Sequence, residues 1–119
     1  MYSILIADDS WLQRQLISNV LKGNGYELIE AKNGRDAVDR ILKEKPDCMI
    51  LDLLMPDMDG LAVLRFLKEK GLSIPVIVLS ADIQNTTRIQ CFELGVVDFL
   101  NKPAQNDELL KAVQKALQI

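Results

Sequence analysis

A chain of 119 residues, 49% hydrophobic and 26% charged, has the size and balance of one globular domain. Its net charge of −3 and pI near 4.9 exclude the basic field that draws a protein to nucleic acid or anionic lipid. No apolar run approaches the ~20 residues of a membrane span. The amino terminus lacks a basic region and Asp8 and Asp9 interrupt its apolar stretch, so it does not read as a signal peptide.

In chain order, "SILIA" (3–7) reads as a buried strand that runs into Asp8 and Asp9. Leu12, Leu16, Ile17, Val20 and Leu21 then recur at helical spacing, closed by Gly23. "ELIEA" (27–31) is a second strand, with charge inside it. Ala37, Val38, Ile41 and Leu42 mark a second helix stopped by Pro46. "DCMIL" (47–51) is a third strand, driven straight into Asp52. Leu61, Leu64 and Leu67 mark a third helix ending at Gly71, and "PVIVLS" (75–80) a fourth strand ending at Ser80.

The fourth helix, from about Gln84 to Leu94, has the weakest pattern. Its "QNTTR" portion is polar, and only Ile89, Phe92 and Leu94 read as buried. "VDFL" (97–100) is a fifth strand, followed by Lys102. Asn106 is expected to cap the last helix, with Asp107 and Glu108 in its first turn and Leu109, Leu110, Val113 and Leu117 facing inward. Cys48 and Cys91 fit neither a CxxC nor a zinc spacing and read as reduced thiols. The chain contains no histidine.

Strict alternation of strand and helix implies right-handed crossovers and a parallel sheet covered on both faces. The expected fold is α/β: a doubly wound (βα)5, flavodoxin-like three-layer sandwich. Strands two and five carry charge and suit the edges, which favours the order 2-1-3-4-5. In that order the chain reverses direction between strands one and three, and ligands bind at strand carboxyl ends beside such a reversal.

Asp8, Asp9, Asp52, Ser80 and Lys102 all fall at that rim. Singly, each has a plain structural role available, such as Asp9 or Ser10 capping a helix, Ser80 starting a turn or Lys102 solvated. Together they are harder to dismiss. Carboxylates crowded at ~4 Å repel by about 1–4 kcal/mol per pair in a wet site, and a divalent cation removes that penalty. Few, open, all-oxygen ligands suit Mg²⁺. A lysine and a hydroxyl beside a metal suit a phosphoryl group, with Asp52 as its nucleophile.

"ADDS", "DLLMPDMDG", "SA" and "NKP", in this order across the whole chain, resemble a response-regulator receiver domain. By that resemblance Asp52 is the phosphoacceptor. Asp9 and Asp52 ligate Mg²⁺ (Mn²⁺ substituting) directly, Asp8 acts through bound water, and the backbone carbonyl of Leu54 completes the set. Lys102 pairs with the phosphoryl group, and the peptide before Pro103 is expected to be cis. Ser80 and Phe99 match the family's switch pair, which acts on the face of the fourth helix, fifth strand and fifth helix. Leu54 and Asp82 stand at positions that tune phosphoryl lifetime. Leucine cannot hold an attacking water, which implies slow self-dephosphorylation. Asp57 and Asp59 serve the turn and the start of the third helix.

Rival readings fail on particular residues. A haloacid-dehalogenase-type phosphatase needs an acid where Leu54 stands. A flavodoxin needs a phosphate cradle where "DDS" would repel one. An EF-hand would place ligands at Met55 and Phe66. A degenerate receiver that only binds protein remains the alternative, although no acid and no lysine is missing.

The resemblance implies a receiver domain over residues 1–119; the fifth helix ends at Ile119 and leaves no room for an output domain, so if the chain is complete it is expected to be a single domain. It would be cytoplasmic and would take its phosphoryl group from a sensor histidine kinase or phosphotransfer protein in a two-component or phosphorelay system. It would signal by protein binding, as chemotaxis-type regulators do. It would catalyse only its own phosphorylation and dephosphorylation, and is not an enzyme toward a diffusible substrate.

Overall fold

The order of apolar and charged runs becomes a single five-stranded sheet in the computed structural model, which describes residues 1–82 and 84–119. Among these residues there are five strands: β1 (Ser3–Ala7), β2 (Glu27–Ala31), β3 (Cys48–Leu51), β4 (Val76–Ser80) and β5 (Asp98–Asn101). They pair in parallel in the order β2-β1-β3-β4-β5, so the two charged strands are the edges. Between and after them run α1 (Trp11–Lys22), α2 (Gly34–Glu44), α3 (Gly60–Glu69), α4 (Asn85–Glu93) and α5 (Asn106–Leu117).

Alternation along the strands divides the core in two. Leu5, Ala7, Met49, Leu51, Val76 and Val78 face α2, α3 and α4. Ile4, Ile6, Cys48, Ile50, Ile77 and Leu79 face α1 and α5. β1, β3 and β4 are thus buried on both sides, which is why their sequences are continuously apolar.

The elements differ from their sequence patterns in specific places. β3 begins at Cys48, and just before it the Asp47 carboxylate accepts the Ser3 amide at 2.8 Å. β4 begins after Pro75, which has no N–H to give. In α1, Leu12 and Leu16 are exposed, and Ile17 and Leu21 carry the burial. The cap of α5 is Gln105 rather than Asn106; its amide donates to Glu108 Oε1 at 3.1 Å, an interaction open to Glu108 three residues into the helix.

The expected burial of α4 is corrected at two of its three positions, whereas Leu94 is partly buried and packs against the core as expected. Ile89 is 56% and Phe92 41% exposed, and the buried residues are Thr87 and Cys91, one turn apart. Small side chains let the helix approach the sheet, and the Thr87 hydroxyl is satisfied by Asp82 Oδ2 at 2.9 Å.

Cys48 and Cys91 are buried on opposite faces of the sheet and cannot bridge. Burial, helped by the Asp47 charge, pushes the Cys48 thiol up to about 12. Burial and Asp82 raise Cys91 as well. Both thiols should therefore resist a thiol-specific reagent in the folded protein and react together in denaturant. Rapid modification of either thiol in the native state would contradict this packing.

Candidate active site

The site begins as a consequence of register. Ala7 pairs with Leu51, so Asp8 and Asp52 leave adjacent strands side by side. The ladder extends one step beyond the strands, with Asp52 N–H on Ala7 O at 2.9 Å and Asp8 N–H on Ala31 O at 3.0 Å. On the other side Ser80 pairs with Asn101, and Lys102 N–H donates to Ser80 O at 2.8 Å. The Lys102–Pro103 peptide is cis, as expected.

These backbone positions bring the side chains together. Lys102 Nζ donates to Asp8 Oδ2 at 2.8 Å and lies 3.4 Å from Asp52 Oδ2. Asp8 Oδ1 accepts the Ser10 amide at 2.9 Å, and Asp52 Oδ1 accepts the Leu54 amide at 3.3 Å. One carboxylate oxygen each from Asp8, Asp9 and Asp52 lies within 4.8 Å of the others. Asp8 and Asp52 are buried and Asp9 is exposed, so the cluster opens to solvent at Asp9.

Electrostatics follow from that crowding. Burial and then the Asp8 charge raise the Asp52 carboxyl above its ordinary value, against the pull of Lys102. Burial draws Lys102 down, yet its hydrogen bond to Asp8 and the two acidic charges outweigh this and leave it raised. Lys102 is a firmly charged ammonium between two acids, and a third carboxylate remains beside them. This hard, all-oxygen set with excess negative charge and an open side fits a small divalent cation.

The loop after Asp52 is built for a tight return over the rim. Gly60 N–H closes on Leu53 O at 3.0 Å, and a Cβ there would lie 2.5 Å from Asp52 O, so only glycine fits. Asp59 caps α3 by accepting the Ala62 amide at 2.8 Å, and Asp57 takes a left-handed turn conformation. Neither belongs to the acid cluster, as their sequence positions suggest.

Ser80 is fully buried, and its Oγ accepts the Asp82 amide at 3.1 Å. The Asp82 carboxylate turns to α4, taking the Gln84 amide at 2.9 Å and the Thr87 hydroxyl. Phe99 is buried, with the Arg88 guanidinium 5.6 Å from its ring centre and 5.5 Å from that of Phe92. Leu54, two residues beyond Asp52, is 64% exposed.

The family model for the response regulator receiver domain matches residues 4–114. The chain belongs to this family. It is 37% identical to chemotaxis protein CheY of Bacillus subtilis over 117 residues, covering 98% of both chains. It is also 37% identical to response regulator MprA of Mycolicibacterium vanbaalenii, covering 96% of this chain and 49% of that one. The solved structure of Vibrio cholerae chemotaxis protein CheY4 superposes with a TM-score of 0.90 at 29% identity, covering 98% of this chain and 99% of that one. Among the described residues, no helix is long and apolar enough to cross a membrane.

Proposed function

We propose that this receiver accepts a phosphoryl group onto Asp52 from the phosphohistidine of a sensor histidine kinase or phosphotransfer protein. The observation that carries the reading is the convergence of Asp8, Asp9, Asp52 and Lys102 at one open rim. A carboxylate oxygen of Asp52 attacks phosphorus and the P–N bond breaks. Its electron pair returns to the donor imidazole, which takes up a proton. With no histidine of its own, the chain cannot be that donor.

Asp9, Asp52 and the Leu54 carbonyl would hold Mg²⁺ or Mn²⁺, with Asp8 acting through water. A bound divalent cation supplies positive charge to the phosphoryl oxygens during transfer. Lys102 would hydrogen-bond one of those oxygens, and the Ser80 hydroxyl, whose oxygen accepts the Asp82 amide, would donate its proton to another. Trp11, Leu12 and Leu16 present exposed apolar surface on α1 just beyond Asp9, where a docked donor can exclude water.

Output is through the α4-β5-α5 face. Ser80 reaches that face through Asp82, whose amide donates to the Ser80 hydroxyl and whose carboxylate accepts from Thr87 in the first turn of α4, and the Phe99 ring lies against Arg88 of the same helix. The likeness to CheY along nearly its full length supports a stand-alone, cytoplasmic regulator whose target is another protein. Incubation with Mg²⁺ and acetyl phosphate should add one hydroxylamine-labile phosphoryl group, and EDTA should prevent it. Failure with both this donor and a partner histidine kinase, on folded protein, would favour a receiver that only binds protein.

Lifetime is the next property the loop controls. By the likeness to the family Leu54 stands at a lifetime-tuning position, and its exposed aliphatic side chain cannot hold an attacking water, so Leu54→Asn should shorten the phosphoryl half-life severalfold. Decay measured by intact mass after removal of the donor checks this. An unchanged half-life would remove Leu54 from any role in hydrolysis.

A further inference from the structure

Arg14 carries no motif and lies outside the acid cluster, yet its side chain reaches the backbone that aims the cluster. It sits one turn into α1, its amide closing on the Ser10 carbonyl at 3.0 Å. Its side chain is only 13% exposed. Nη1 donates to the carbonyl oxygen of Asp8 at 2.7 Å, and Nε donates to Glu30 Oε1 on the edge strand β2 at 2.9 Å.

That carbonyl belongs to the Asp8–Asp9 peptide. β1 ends at Ala7, and although the Asp8 amide still follows the ladder to Ala31, its carbonyl is turned out to the guanidinium. The two acids are then held in different ways. The Asp8 carboxylate has the Ser10 amide and Lys102, whereas among the described residues the exposed Asp9 carboxylate has no hydrogen-bond partner. With no side-chain partner, Asp9 depends for its direction on the backbone that carries it, and Arg14 holds the carbonyl of the peptide before it.

We propose that Arg14 is a positioning residue for divalent-cation binding, acting on Asp9 through the Asp8–Asp9 peptide; this rests on the cation-dependent reading of the site. Charge and geometry predict opposite effects for its removal. A cation hydrogen-bonded to the backbone of the acid cluster opposes a second cation, so on charge alone its loss tightens metal binding. On geometry its loss frees the peptide and weakens binding, in the range of roughly 10-fold to 100-fold seen when partners of metal ligands are removed. A planar fork with two donors to two acceptors is a task lysine cannot reproduce.

The test is Mn²⁺ binding to the whole chain, read from the loss of the free-ion electron paramagnetic resonance signal. Arg14→Ala is expected to bind Mn²⁺ about 10-fold more weakly than the unaltered protein. Arg14→Lys, which keeps the charge, should also bind more weakly and stands in if the alanine variant fails to fold. Unchanged or tighter binding by folded Arg14→Ala, or unchanged binding by Arg14→Lys, overturns the proposal. If the unaltered protein does not bind Mn²⁺, the cation-dependent reading itself fails, and this inference with it.

Discussion

Gly34→Ala is expected to lower Tm by roughly 10 °C in a thermal melt. Gly34 is the first residue of α2, and its backbone lies against the loop that follows Asp52. A Cβ there would overlap the Met58 carbonyl oxygen and come within 2.7 Å of Met58 Cβ. The loop cannot easily retreat, since Met58 N–H is bound to Pro56 O at 2.8 Å and Gly60 N–H to Leu53 O at 3.0 Å. Relief requires α2 to lift from α3, an overpacking cost of about 3 kcal/mol. At ~4 °C per kcal/mol for a domain of this size, the shift is that large.

The same substitution at Gly23 supplies the contrast. Gly23 closes α1 with φ of −63°, which alanine adopts freely, and its nearest neighbour to a new Cβ is 3.7 Å away. Gly23→Ala should be neutral or slightly stabilising, because alanine restricts the unfolded chain. Equal losses at both positions would show that the close approach at Gly34 is not what matters.

Lys102→Met should destabilise the metal-free protein by about 3 kcal/mol at neutral pH, the lower end of the range for breaking a buried ion pair. The lysine is the cation between two buried carboxylates, 2.8 Å from Asp8 and 3.4 Å from Asp52. The loss should depend on pH in a definite sense. The Asp52 carboxyl is already raised by burial and by Asp8, and without Lys102 it rises further. A carboxyl that holds its proton more tightly in the folded state adds stability below its unfolded value, and that stability is lost as pH rises through the folded value.

The gap between the two proteins therefore closes in acid, below the ordinary aspartate pKa of about 3.9, and opens as pH climbs through the raised Asp52 value. Denaturant melts in EDTA at several pH values measure it. A gap that stays constant with pH would mean that Lys102 contributes packing rather than charge.

Much of this architecture is written locally. β1, β3 and β4 are buried on both faces, so their apolar runs need no knowledge of partners, and the charges in β2 and β5 mark them as edges. Asp8, Asp9, Asp52, Ser80 and Lys102 were legible for a related reason: each stands where an apolar run stops, and a parallel sheet brings all such ends to one rim.

What was not legible depends on contacts between distant elements. α4 buries Thr87 and Cys91 while Ile89 and Phe92 face outward, because small residues let it lie close to the sheet. Hydrophobicity alone points to the wrong face. Arg88 looks like an ordinary surface cation until it is found over the Phe99 ring. Arg14 likewise has as its partner a main-chain carbonyl, which no side-chain pattern reveals. The cap of α5 is Gln105 rather than Asn106 because the Gln105 backbone amide finds its acceptor in Glu108, a pairing that the cap preference of asparagine alone does not reveal.

The most direct measurement is intact-mass spectrometry of the unaltered chain and of Asp52→Asn, side by side, after incubation with acetyl phosphate and Mg²⁺. The predicted result is one phosphoryl group on the unaltered chain, released by hydroxylamine, and none on the folded variant. Equal labelling of both would place the phosphoryl group elsewhere and contradict the role given to Asp52.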